Sequence, residues 1–143
     1  EYTMSILRAV SFAPPRLRRR DEGIFYTLES LGHVPFNWPA PNGYPDVGAY
    51  WMTNLLPRWN LAINAILSGE DFDELADLLG RSSASDSIDS VLSFMGSYLW
   101  GRELSESEFA TVRDFATTIG SSLSEQALAG TALLIAAPTF QFA

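Results

Sequence analysis

Five glycines, at positions 32, 69, 80, 101 and 120, each close a run of apolar residues spaced three or four apart. That spacing marks one face of a helix. Glycine just beyond the run is a common stop, because it enters the left-handed conformation without steric cost. Stops this frequent leave no room for a long helix. They predict an all-α chain, a compact bundle of seven or eight short helices whose apolar faces meet in one core. No segment shows the alternation of a strand.

The runs are placed as follows. Residues 2–12 carry Met4, Leu7, Ala9 and Val10 roughly on one side and end at Pro14 and Pro15. Proline restricts the residue before it and removes an amide donor, so a helix stops there. Residues 22–32 place Phe25, Leu28 and Leu31 on one face. Asp46 starts a short helix reaching 52. Thr53 caps the next, to 67, with Pro57 tolerated in its first turn and Leu56, Trp59, Ile63 and Ile66 along one face. Residues 70–79 are acidic and helical, with Phe72, Leu75, Leu78 and Leu79 inward. A Ser-rich link over 81–87 leads to a helix over 87–100, with Val91, Met95, Tyr98 and Leu99 available for packing. Ser105 and Glu108 form a capping box, in which hydroxyl and carboxylate each satisfy an amide of the first turn, for a helix to Ile119. A last helix runs from about 124 to 136, before Pro138.

One segment resists this description. Residues 33–46, HVPFNWPAPNGYPD, hold four prolines, which exclude a regular helix or a central strand. Asn42 and Gly43 mark a turn. Phe36, Trp38 and Tyr44 alternate with the prolines, and Tyr50, Trp51 and Trp59 follow closely. Aromatic rings bring large contact area at low entropy cost, which suits a sugar or a protein partner. The same rings also serve to pin such a loop onto neighbouring helices. Phe36, Trp38, Asn42, Tyr44, Asp46 and Trp51 are therefore the candidate ligand- or partner-binding residues.

The 143-residue chain suits a single domain over 1–143. It begins with Glu1, not Met, and is read as the C-terminal piece of a longer protein. All nine basic residues are Arg. Five of them stand in residues 1–20 beside Glu1 alone, a local charge of +4, while the rest of the chain carries −12, giving −8 in all. Such an acidic surface repels nucleic acid phosphates, so no nucleic acid partner is expected. The run 16–20 is an exposed basic loop or an anion site. The longest apolar stretch, 127–138, is too short for a spanning helix, which needs about 20 residues, and belongs in the core.

Catalytic groups are scarce. With no Cys and one His, neither a thiolate nucleophile nor a zinc site is available, and no metal or cofactor is expected. His33 with Asp46 or Asp21 leaves a Ser–His–acid arrangement open, but no serine sits in a nucleophile elbow. A lone His after a helix end also caps carbonyls. Glu70, Asp71, Asp73, Glu74 and Asp77 lack the alternation and central glycine of a calcium loop. Glycine-rich phosphate loops are absent.

The segments LESLGHVPF (28–36), PAPNGYPD (39–46), Trp51 with LLPRWNLA (55–62), and ALLIAAPTFQ (132–141) resemble the C-terminal part of a bacterial family known as domain of unknown function 1800. Its members share a Leu-Gly-Gln-x-x-Phe turn, a Gly-(Trp/Tyr)-Pro-Asp loop, a Trp-Asn or Leu-Asn helix, and an ending similar to Leu-Ala-Ser-Pro-Glu-Phe-Gln. The likeness spans most of the chain, with a gap in detail around 68–100. His33 stands where Gln is expected, which argues against His33 as a general family catalyst, and Thr139 stands where Glu is expected. The resemblance implies a parent of several hundred residues in an extracytoplasmic location, whether periplasm, cell surface or secreted. It also implies a possible partner in an exported sulfatase-like protein encoded nearby, and no established activity.

Three functions follow as expectations. The first is a non-enzymatic helical module for interaction or assembly in an exported cell-envelope or surface protein, with a protein or envelope polymer as partner and the 33–46 loop as contact surface. The second is part of an enzyme acting on a polysaccharide or other envelope polymer, with His33, Asp46 and Asn42 as local candidates. The third is a carbohydrate-binding module using Trp38 and Tyr44.

Overall fold

The structure, a computed structural model, describes residues 6, 26, 28–32, 34, 37, 41, 43, 47, 54–67 and 87–141. Among them the backbone is mostly helical and no strand occurs. Five helices have complete bounds: α1 (Leu55–Leu67), α2 (Ile88–Trp100), α3 (Glu106–Ile119), α4 (Leu123–Ala136) and α5 (Pro138–Gln141). Ile6, Tyr26 and residues 28–30 are also helical. The predicted helix over 70–79 lies outside the described residues. Val47, immediately after the expected cap Asp46, is not helical, and the remainder of 46–52 lies outside the described residues.

The chain divides into two compact units, one formed by Glu1–Ala13 with Ala62–Ala143, the other by Pro14–Leu61. The centre of the first is α4. Ala127, Leu128, Ala129, Gly130, Thr131, Ala132, Leu134 and Ile135 are all buried, so this helix is covered on every side. A helix apolar all round belongs in a core, as the apolar run 127–138 predicted. α4 packs on both α2 and α3, which also pack on each other, and α5 lies against α4 and α2.

Small residues make that crossing possible. A Cβ added at Gly130 would stand 2.3 Å from Leu92 Cδ2 and 3.6 Å from both Ala116 Cβ and Val112 Cγ1. Gly130 is therefore where α4 meets α2 and α3 at close range. Leu92, Met95, Leu134 and Ile135 are completely buried there. Each such side chain contributes about 1.5–3 kcal/mol. The buried hydroxyl of Thr131 donates to the Ala127 carbonyl at 2.7 Å, and so is not stranded.

The helix starts are set locally. Ser87 accepts from Ser90 N at the head of α2. The Ser105–Glu108 capping box is present at α3. α4 starts with a second box, Ser122 with Glu125, which places its first residue at Leu123. Gly101, at φ 66°, ends α2 in the left-handed conformation expected of glycine. Pro138 ends α4 and also opens the single turn of α5, where a missing amide costs nothing.

Two predicted faces need correction. On α1, Ala62 and Ile66 are buried, while Leu56, Trp59 and Ile63 are exposed. Burial centres on the line through Ala62 and Ile66, and the other three fall to one side of it at about 100° per residue. On α2, Val91, Leu92, Met95 and Leu99 are buried, but Tyr98 is 44% exposed and stacks on Phe94 at 5.9 Å. Ile6, outside the set of residues predicted for its apolar side, is fully buried.

Candidate functional site

His33, Phe36, Trp38, Asn42, Tyr44, Asp46 and Trp51 all lie outside the described residues, and so does the acidic group at 70–77. The structure describes the frame of the 33–46 loop. Leu31 and Val34 are buried, and a turn begins as Gly32 N donates to Glu29 O at 2.9 Å. Gly32 has φ +68°, a conformation that side chains strain to adopt. The predicted stop at Gly32 is thus a left-handed turn. Asn37 N donates to Val34 O at 3.2 Å, closing the next turn.

Asn54 secures this start of the loop. Its Nδ2 donates to the Leu31 carbonyl at 2.8 Å across 23 residues of sequence. Its own carbonyl accepts from Arg58 N at 3.2 Å, the first hydrogen bond of α1. Asn54 therefore occupies the boundary position for which Thr53 was expected, and joins α1 to the turn at 31–32. Gly32 also gives it room, since a Cβ there would lie 3.3 Å from Asn54 Nδ2. The signal in the sequence was an asparagine immediately before a helical run, a favoured cap position.

Between Val34 and Asn54, four residues are described. Asn37, Pro41, Gly43 and Val47 are all exposed. Of the aromatic group, Trp59 is described, on the solvent side of α1 at 43% exposure.

The surface of residues 87–141 shows a different chemistry. Arg102 grips Glu108 with two nitrogens at 2.8 and 2.9 Å, while its guanidinium lies 5.1 Å above the Trp100 ring centroid. Glu108 also accepts from Ser105 N at 2.8 Å. Arg102 first, then the Ser105 amide, holds the Glu108 carboxyl down at about 2. Glu108 in turn raises the Arg102 pKa. Glu125 is lowered as well, by the Ser121 hydroxyl and amide and then by the Ser122 amide. Arg113 Nε bonds Asp89 Oδ1 at 2.6 Å, tying α3 to α2. Trp100 Nε1 donates to Leu134 O at 3.0 Å and satisfies one of the carbonyls left open at the end of α4.

These carboxylates are poised as caps and ion-pair partners. A pKa pushed down makes a poor proton donor near neutral pH, the opposite of the tuning a general acid needs. Among the described residues, no group of three or more His, Cys, Asp or Glu is placed to hold a metal ion. No described helix is long and apolar enough to cross a membrane.

Neither a curated protein nor a solved structure matches the chain. A family match covers residues 1–142, nearly the full length, and includes the Gly32 turn, the proline-rich loop, the Trp59–Asn60 pair and the Phe140–Gln141 ending. The chain belongs to the family described as "Protein of unknown function (DUF1800)".

Proposed function

We propose that this chain is a non-enzymatic helical module for interaction or assembly, part of an exported cell-envelope or surface protein, and that residues 33–46 form its contact surface. Phe36, Trp38, Asn42, Tyr44, Asp46 and Trp51 meet a protein partner or an envelope polymer. The exposure of Asn37, Pro41, Gly43 and Val47 carries the reading. A loop fixed at its start by Leu31 and Asn54 and exposed at Asn37, Pro41 and Gly43 is suited to recognition, because loops positioned by a rigid scaffold lose less entropy on binding.

Affinity purification of the protein from the envelope fraction of its host, followed by mass determination of the intact complex, tests the proposal. A stoichiometric partner is expected, and the double variant Trp38→Ala/Tyr44→Ala is expected to lose it while keeping its melting temperature. A partner retained in full by that variant removes the loop as the contact surface. Recovery of the protein from the cytoplasmic fraction alone removes the exported part of the proposal.

A further inference from the structure

We propose that the Asn42–Gly43 peptide is a site of spontaneous backbone modification, at which the asparagine converts to a mixture of aspartyl and isoaspartyl linkages. The chemistry requires nothing beyond water. The Gly43 backbone nitrogen gives up its proton and attacks Cγ of Asn42. The bond from Cγ to the side-chain nitrogen breaks, ammonia leaves, and a five-membered imide forms. Water then opens the imide at either carbonyl. One water is consumed and one ammonia released for each asparagine, and a neutral amide becomes a carboxylate.

The residue after the asparagine controls the step, because its side chain shields the attacking nitrogen. Glycine has none. Gly43 is exposed, holds φ +76°, and has open space on the side where a Cβ would project, with nothing within 4 Å. Pro41, on the other side of Asn42, is exposed too. No hydrogen bond joins Gly43 N to another described residue. None of the remaining asparagines is followed by glycine. Asn37, Asn54 and Asn60 are followed by the bulky residues Trp38, Leu55 and Leu61, and Asn64 is followed by Ala65. Asn54 is further held by its bond to Leu31 O, and Asn60 and Asn64 lie within α1. The modification is therefore selective for one position. Its consequence is an added negative charge and, in the isoaspartyl form, an extra backbone methylene between Pro41 and Gly43. This inference stands independently of what the loop binds.

The test is to incubate the intact protein in mildly alkaline buffer at physiological temperature beside a synthetic peptide spanning residues 37–47. Tryptic fragments between Arg20 and Arg58 are then sequenced by mass spectrometry. Expected is the mass gain of an amide-to-acid change at position 42, split into two chromatographic forms, with Asn37 and Asn54 in the same fragment unchanged and the gain absent in Asn42→Gln. Retention of the amide in the protein while the peptide converts overturns the proposal, as does failure of the peptide itself or equal conversion at Asn37.

Discussion

In residues 87–141, a serine at the start of each of α2, α3 and α4 accepts from an amide three positions along its own chain. In residues 31–54, a polar contact among the described residues runs from Asn54 to Leu31, across 23 positions. The first region is ordered by local rules applied repeatedly and then by packing of the finished helices. Among its described residues the second shows two turns, at Gly32 and at Asn37, two left-handed glycines, Gly32 and Gly43, and a long-range amide bond. The difference explains why α2, α3 and α4 could be foreseen nearly residue by residue, while the neighbourhood of the proline-rich loop could not. Capping is decided within a single turn of chain, whereas a carbonyl such as that of Leu31 finds its donor only once two distant segments meet.

The sharpest way to break this contrast is to disturb the crossing of α2 and α4. Leu92→Ala is expected to destabilise the protein by about 3 kcal/mol, measured by denaturant unfolding. Gly130→Ala is expected to destabilise on its own, since Leu92 is fully buried and has nowhere to swing, yet to be tolerated in the Leu92→Ala background, where the space has been opened. Additive effects in that cycle show that the two residues do not share a contact.

A smaller loss is expected from Gly120→Ala. Its Cβ would fall 2.4 Å from Gln126 N, a backbone atom in the first turn of α4 that cannot move aside. The cost is about 2 kcal/mol, and the reading fails if the variant melts with the native protein.

Asn54→Ala tests the other region. Losing one side-chain hydrogen bond costs about 1 kcal/mol. The informative readout is hydrogen exchange: faster exchange at the Gly32 amide is expected, with amides of α3 and α4 unchanged. Uniform loss of protection across both regions shows that their order is not separable in the way described.

The least effect is a dependence on pH. Folded Glu108 titrates at about 2, below the ordinary glutamate value of 4.5. Its stabilisation is therefore complete above the unfolded value and lost as pH falls through the folded one. The melting temperature should fall from pH 4.5 towards pH 2, and Glu108→Gln should flatten part of that slope. An unchanged slope in the variant assigns the dependence to other carboxylates, Glu125 first among them.

The candidate site residues themselves lie outside the described residues, and what was legible there is the stop at Gly32. Gly32 turned as a helix stop should, and the residues around Asn42 stand in solvent. Asn54 was missed because a cap position reveals nothing of where its side chain reaches. Leu56, Trp59 and Ile63 were assigned to a buried face because apolar spacing shows that residues share a side, not what arrives to cover it. The second capping box, Ser122 with Glu125, was legible in its Ser-x-x-Glu pattern and went unread.

Residue order alone settled the helical class, the stops at Gly32, Gly101, Gly120 and Pro138, and the start of α3, because those choices are made by backbone sterics and by side chains within one turn of the groups they satisfy. It also settled that the apolar run in α4 would be buried, since no surface helix is apolar all round. Folding in three dimensions settled which flank of α1 faces water, that Gly130 meets Leu92, and that Asn54 closes on Leu31. Those depend on two surfaces meeting, and the energy of contact belongs to the pair and cannot be assigned to either segment before they touch.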